Sequence, residues 1–154
     1  MSLHTGKIYK NEGVSLGPAN IDLARKNNPI NYADREWEKW REKARIDNDV
    51  YYFSIYNNSS LVGEIFLHDI DKEKAEALLG YHIFDPNLRG KGIGTKALQL
   101  LQEHVKQTKE IKKLIIITAE NNLPSRKISE KCGFVYTGPA WEDPKMVVYE
   151  WSNL

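Results

Sequence analysis

Apolar residues change their spacing part-way along the chain. Between residues 50 and 84 they fall in three short runs: VYYFSIY at 50–56, LVGEIFLHDI at 61–70 and ALLGYHIF at 77–84. These β-branched and aromatic runs predict three strands. NNSS at 57–60 is turn chemistry between the first two, which makes them a hairpin, and 71–76 is a polar connection. Asp85 and Pro86 stop the third strand. Beyond them Ile93, Ala97, Leu101 and Val105 share one face of an amphipathic helix over 93–107. LIIIT at 114–118 is continuously apolar and predicts a strand buried on both faces. Strand, helix and buried strand form a βαβ unit, so 77–84 and 114–118 should run parallel through a right-handed crossover.

The ends of the chain are plainer. Residues 5–32 predict one weak helix over 21–26, stopped by Asn27, Asn28 and Pro29. Asp34 caps a predicted helix over 35–45, with Trp37, Trp40, Arg41 and Ala44 on one face. A short helix is predicted from about 123 to 132, with Pro124 in its first turn and Gly133 after its end. FVYTG and MVVYEW predict a final hairpin around Glu142, Asp143 and Pro144. The expected order is αββββ, then αβ, then αββ, counting one weak first strand. The fold class is therefore α/β of the α+β type: a mixed, mostly antiparallel sheet with one parallel pair.

Composition narrows the function. The 154 residues carry 22 Lys and Arg against 21 Asp and Glu, a net charge of +1, which argues against a nucleic-acid partner. With no internal repeat and no linker, residues 1–154 read as a single domain. The lone cysteine excludes an internal disulfide and a cysteine-rich zinc site, and it fits a reducing, cytoplasmic setting. No metal is expected, because His4, His68, His82 and His104 show no paired ligand spacing. No apolar run is long enough for a transmembrane helix, and MSLHTGKIYK lacks the apolar stretch of a secretory leader.

The densest chemistry lies at Arg89-Gly90-Lys91-Gly92-Ile93-Gly94, between a strand and a helix. Its glycines let backbone N–H groups turn toward one point, and the helix N-terminus and two cations add positive charge. Such a loop suits a pyrophosphate; a tight strand-to-helix turn is the plainer alternative. A Walker loop would place Lys before Ser or Thr, whereas Gly94 is followed by Thr95 and then Lys96. A dinucleotide fingerprint needs G-x-G-x-x-G, and the chain has G-x-G-x-G.

Arg89, Gly92 and Gly94 match the Arg/Gln-x-x-Gly-x-Gly/Ala signature that the GNAT superfamily carries after its fourth strand. Asn122-x-x-Ser125, followed by Glu130-Lys131-Cys132-Gly133-Phe134, resembles that family's Asn-bearing loop and the helix after it. In order, and one helix plus one strand apart, the two blocks cover roughly residues 50–140. The Trp-rich N-terminal helix is similar to the branch of ribosomal-protein, polyamine and aminoglycoside N-acetyltransferases.

The resemblance implies an acetyltransferase that uses acetyl-CoA. It implies fourth and fifth strands that splay apart, with pantetheine pairing along His82, Ile83 and Phe84. It implies pyrophosphate on Arg89, Gly90, Lys91, Gly92, Ile93 and Gly94, and further cofactor contacts from Asn122 and Ser125. Lys96, Arg126 or Lys127 would meet the ribose phosphate, or stand as solvated cations. The acceptor would be a primary amine of a small molecule or a protein N-terminus, with no membrane partner and a possible homodimer.

Acetyl transfer needs a base to free the amine and gains from an acid for the thiolate. Many family members place a Tyr acid where this chain has Ser129, so Ser129 is the candidate acid, against a plain helix hydroxyl. Where some members carry a catalytic Glu this chain has Leu78, so Glu64 is the first candidate base and Glu76 the next, each weighed against an exposed strand Glu. A CoA-binding module without activity is the alternative function, and a nucleotide-phosphate binder is a second.

Overall fold

The fold is described from a computed structural model, over residues 9–27, 39 and 51–153. The helix expected over 35–45, with Trp37, Trp40, Arg41 and Ala44, lies outside the described residues apart from the helical Lys39. Eight strands share one sheet: β1 (Tyr9–Asn11), β2 (Val14–Pro18), β3 (Tyr51–Asn57), β4 (Ser60–Asp71), β5 (Glu76–Ile83), β6 (Lys113–Ala119), β7 (Val135–Pro139) and β8 (Met146–Ser152). Their spatial order is β1-β2-β3-β4-β5-β6-β8-β7. Besides Lys39, the helices among the described residues are α1 (Ile21–Asn27), α2 (Ile93–Thr108) and α3 (Leu123–Lys131), with a short 3-10 turn over Pro86–Leu88.

The mixed sheet has the predicted single parallel pair, β5 with β6. All the other neighbours are antiparallel. The 57–60 hairpin turns through Asn58 and Ser59 at φ 49° and 74°, left-handed positions that such a two-residue connection requires.

Two expectations need correction. The N-terminus contributes a β1–β2 hairpin before its helix, where the sequence suggested one weak strand; Gly13 turns it at φ 87°. And β6 is not buried on both faces. Leu114, Ile116 and Thr118 are buried, but Ile117 is 41% exposed. Beyond Ile115 the β5 strand no longer pairs with β6, so one flank of Ile117 has lost its neighbour.

The core lies on the sheet face that meets α2 and the end of α3. There Leu16, Ile55, Ile65, Leu67, Leu98, Leu101, Leu114 and Tyr149 are all fully buried. Burying one such aliphatic side chain contributes about 1.5–3 kcal/mol. Helix α1 packs against β4. Asn20 caps α1 through its Oδ1, which accepts from Leu23 N, and its own N–H donates to Ser54 Oγ on β3 at 2.8 Å. At the other end Asn27 Nδ2 donates to the Leu61 carbonyl. These contacts clamp a short helix, too weak to form alone, onto the central strands.

Candidate active site

The site begins with a failure of strand pairing. Parallel contact between β5 and β6 covers Glu76–Leu78 against Lys113–Ile115 only. Past that point β5 continues to Ile83 and β6 to Ala119, with their facing edges unpaired by each other. Unpaired strand edges are hydrogen-bonding templates for an extended group. On its other edge β5 stays paired with β4 as far as Ile83.

The opening holds a cleft of about 700 Å³, walled by β5, the end of β6, the loop before α2 and the first turns of α2 and α3. Gly92 is the residue preceding α2. It lies at φ 84°, and no side chain caps the helix. The first-turn N–H groups of α2 are therefore left to the cleft, with the partial positive charge of the helix end. A Cβ built on Gly90 or on Gly92 meets nothing within 4 Å, so both glycines border open space. Gly94 does a different job: a Cβ there would stand 3.3 Å from Ile128 Cδ1, so it lets α3 approach α2.

Arg89 is held in place. Its Nε and Nη2 donate to the Ile83 carbonyl at 3.3 and 3.0 Å, tying the loop to the end of β5. Asp85 accepts from Asn87 N and starts the turn that leads there. Across the cleft Asn122 caps α3, its Oδ1 accepting from Ser125 N at 3.3 Å.

The residues singled out from sequence divide plainly. His82, Ile83, Arg89, Gly90, Gly92, Ile93, Gly94, Asn122 and Ser125 line the cleft. Phe84 and Lys91 do not; Phe84 lies beside the His82 ring, and Lys91 is exposed on the loop. Lys127 lines the cleft, whereas Lys96 pairs with Glu12 at 3.3 Å and Arg126 bonds to Tyr149 Oη at 3.0 Å.

None of the three candidates for proton transfer, Ser129, Glu64 and Glu76, lines the cleft. Ser129 is fully buried, and its hydroxyl donates to the Ser125 carbonyl one turn back at 2.9 Å. That bond directs its proton into the helix, the arrangement of a plain helix hydroxyl. Glu64 is only 1% exposed, which corrects the expectation of a solvent-facing strand carboxylate. It stands directly across from His82 in the β4–β5 ladder and from Ser54 in the β3–β4 ladder. Glu76 is half-buried at the start of β5, where the strands still pair.

Sequence reasoning passed over Tyr81. Its side chain lines the cleft and its phenol donates to Ser125 Oγ at 3.4 Å. Burial, the largest influence, pushes the phenol above its usual 10.0; the Ser125 bond opposes that shift and Cys132 adds to it. The alternation of Leu79, Tyr81 and Ile83 puts Tyr81 on the inward face of the strand, but its meeting with α3 is not legible in that pattern.

The acetyltransferase (GNAT) domain family matches residues 19–135. The chain belongs to this family. YdaF of Bacillus subtilis (strain 168) is 33% identical over 101 residues, which are 66% of this chain and 54% of that protein. The ribosomal-protein-serine acetyltransferase of Escherichia coli (strain K12) is 30% identical over 86 residues, 56% of this chain and 48% of that protein. The chain thus spans about half the length of the curated relatives it matches. Among solved structures, RimL, a ribosomal L7/L12 alpha-N-protein acetyltransferase in complex with coenzyme A, aligns with a TM-score of 0.75. The alignment covers 95% of this chain and 98% of that one at 16% identity, a likeness of fold. Among the described residues no His, Cys, Asp or Glu cluster is arranged to hold a metal, and no helix is long and apolar enough to cross a membrane.

Proposed function

We propose that this GNAT protein transfers an acetyl group from acetyl-CoA to a primary amine, within one domain spanning residues 1–154. The carrying observation is the cleft itself, in which an unpaired strand edge leads to an uncapped helix N-terminus. The first suits the amides of pantetheine, and the second suits a pyrophosphate. Open space at Gly90 and Gly92 leaves a phosphate room to approach the backbone.

In this reading the backbone at His82 and Ile83 of β5, and at Phe84 just beyond it, aligns the pantetheine arm. The N–H groups around Gly90, Gly92, Ile93 and Gly94 hold the pyrophosphate, with charge from Arg89 and Lys91. Asn122 and Ser125 form the opposite wall. The co-substrate supplies an activated acetyl thioester, and backbone N–H groups at the splay stabilise the oxyanion as the amine attacks. Glu64, through its neighbour His82, takes the proton that the attacking amine must lose. The acceptor is an amine of a protein N-terminus or of a small molecule; the name of the Escherichia coli relative, a ribosomal-protein-serine acetyltransferase, favours a protein. A single buried thiol and the absence of a membrane-crossing helix among the described residues accord with a cytoplasmic setting.

Calorimetry with CoA, then turnover of acetyl-CoA against a mixed amine and peptide library with mass detection, tests the reading. Binding without acetylation of any amine would leave only a CoA-binding module. Glu64→Gln should lower kcat/KM for the amine by about 10²-fold or more while CoA affinity stays put.

A further inference from the structure

The wall of the cleft that faces Ser125 carries a phenol, contributed by the strand and not by the helix. Ser129 occupies the helix position where many relatives hold a Tyr, and it has no side chain reaching the cleft. Ser125 lies one helical turn before Ser129, and the Tyr81 phenol meets it from β5. Along the same side of Tyr81, Gly94 opens α2: a Cβ built there would lie 3.8 Å from the Tyr81 ring. A Cβ at residue 94 would make only ordinary contact with the ring, and a Tyr at residue 129 would need space that the buried Ser129 does not have. The Tyr149 phenol meets Arg126 and Glu130 on α3, whereas the Tyr81 phenol meets Ser125 and lines the cleft.

We propose that Tyr81 is the proton donor to the departing thiolate, with Ser125 holding its phenol in position. The proposal rests on the acetyl-transfer reading above. In the step concerned, the amine nitrogen has bonded to the thioester carbon and its surplus proton has passed to Glu64. The tetrahedral adduct then collapses. The C–S bond breaks, its electron pair goes to sulfur, and the phenol proton transfers to that sulfur. The amide and the free thiol leave, and water returns a proton to the tyrosinate as the Glu64 carboxyl releases one. Atoms and charge balance with no further reactant. Burial suits the role in a second way, because a phenol held above its usual range keeps its proton wherever the amine is neutral enough to attack. The groups facing the phenol are Ser125 on α3, which steadies the ionised form, and the Cys132 thiol at the end of that helix, which opposes it.

The test compares Tyr81→Phe and Ser125→Ala with the parent in three measurements: CoA affinity by calorimetry, kcat with a saturating amine, and alkaline titration of phenolate absorbance. Phe keeps the ring and its packing, so CoA affinity should stay within about twofold while kcat falls about 10- to 100-fold, the lower reach of acid–base effects. A tyrosine titration raised above 10.0 in the parent should vanish in Tyr81→Phe. Ser125→Ala should lower kcat less and should move that titration further up, since the Ser125 bond favours the ionised phenol. If Tyr81→Phe turns over like the parent, the donor is not this phenol and the proposal falls. If Ser125→Ala removes turnover while Tyr81→Phe keeps it, the serine is the donor and the proposal also falls. A parent that binds CoA but acetylates nothing overturns the functional reading, and this proposal with it. If Tyr81→Phe fails to fold, Ser125→Ala carries the test alone, and an unmoved phenol titration overturns the placement of Tyr81.

Discussion

The carbonyl oxygen of His82 occupies the space in which a side chain on Gly63 would begin. The two residues lie on paired strands, with Gly63 opposite Ile83, and Phe84 N donates to the Val62 carbonyl just beyond. The end of β5 therefore sits unusually close to β4, on the side away from the cleft. Only a residue without a Cβ permits that approach. Because the His82–Ile83 stretch forms one wall of the cleft, the glycine on β4 sets where that wall stands.

Gly63→Ala should push β5 toward the cleft. Overpacking of a buried site costs about 1–3 kcal/mol. In a chain of this size that lowers Tm by about 2–4 °C per kcal/mol. CoA affinity should fall too, since the displaced strand narrows its own binding edge. Thermal melting with calorimetry on the folded protein measures both. A variant with parental Tm would mean that the close approach relaxes at no cost.

The two kinds of glycine in the loop should separate under substitution. At Gly92 a Cβ points into open space but φ is 84°. Gly92→Val places a branched side chain where a phosphate would approach, in a backbone conformation that L-residues avoid. CoA affinity should drop at least tenfold, about 1.4 kcal/mol. Gly94→Ala instead presses on Ile128, so it should disturb the packing of α3 before it disturbs the phosphate end. Equal CoA affinity in the parent and a folded Gly92→Val would remove the pyrophosphate from this loop.

Ser129→Ala should leave kcat unchanged. Its hydroxyl is committed to the Ser125 carbonyl, which as an i−4 helical carbonyl has a backbone partner of its own to accept from. Removing a hydroxyl that bonds back onto its own helix is among the mildest changes a buried position allows, so Tm should move little. A kcat reduced tenfold or more with unchanged CoA affinity would return Ser129 to the role of acid.

The central strands, both long helices and the glycine loop were legible because each rests on local pattern: period two, period four, or a run of glycines. The β1–β2 hairpin was not. Tyr9–Asn11 is three residues long, and Val14–Pro18 ends in a proline, so neither holds an alternation that stands out from loop. The place of Val14–Pro18 comes from pairing with β3, a long-range contact, and Tyr9–Asn11 follows by pairing with it. Glu64 was misjudged for a similar reason. Strand polarity alone predicts an exposed carboxylate, while its burial arises from elements packed on both faces of β4, whose residues from Leu61 to Leu67 are all buried. Ser129 was legible as a missing tyrosine, but the replacement phenol on β5 was not, because Tyr81 looks like any inward strand residue until α3 is placed against it.

Alkaline stability should depend on Cys132. Cys132 is buried at the end of α3, its thiol 3.7 Å from the Thr95 carbonyl. Burial pushes the thiol from 9.0 to about 11, against a smaller opposing pull from Lys131. The native state thus keeps a proton that the unfolded chain sheds from about pH 9 upward. Below that pH both states hold the proton and the thiol contributes its full stabilisation. As pH climbs from 9.0 to about 11 the unfolded state alone ionises, so stability falls across that window and levels once the native thiol ionises too. The raised phenol of Tyr81 acts in the same direction, but only above 10.0. Urea titrations of the parent and of Cys132→Ala at intervals from neutral to alkaline pH separate the two. The parent should weaken from about pH 9, and the variant should delay that loss until its tyrosines begin to ionise. At neutral pH the native thiol should also resist alkylation that the unfolded chain accepts, since the thiolate is the reactive form. If parent and variant weaken in parallel through this window, the thiol titrates alike in both states and is not buried as the fold places it.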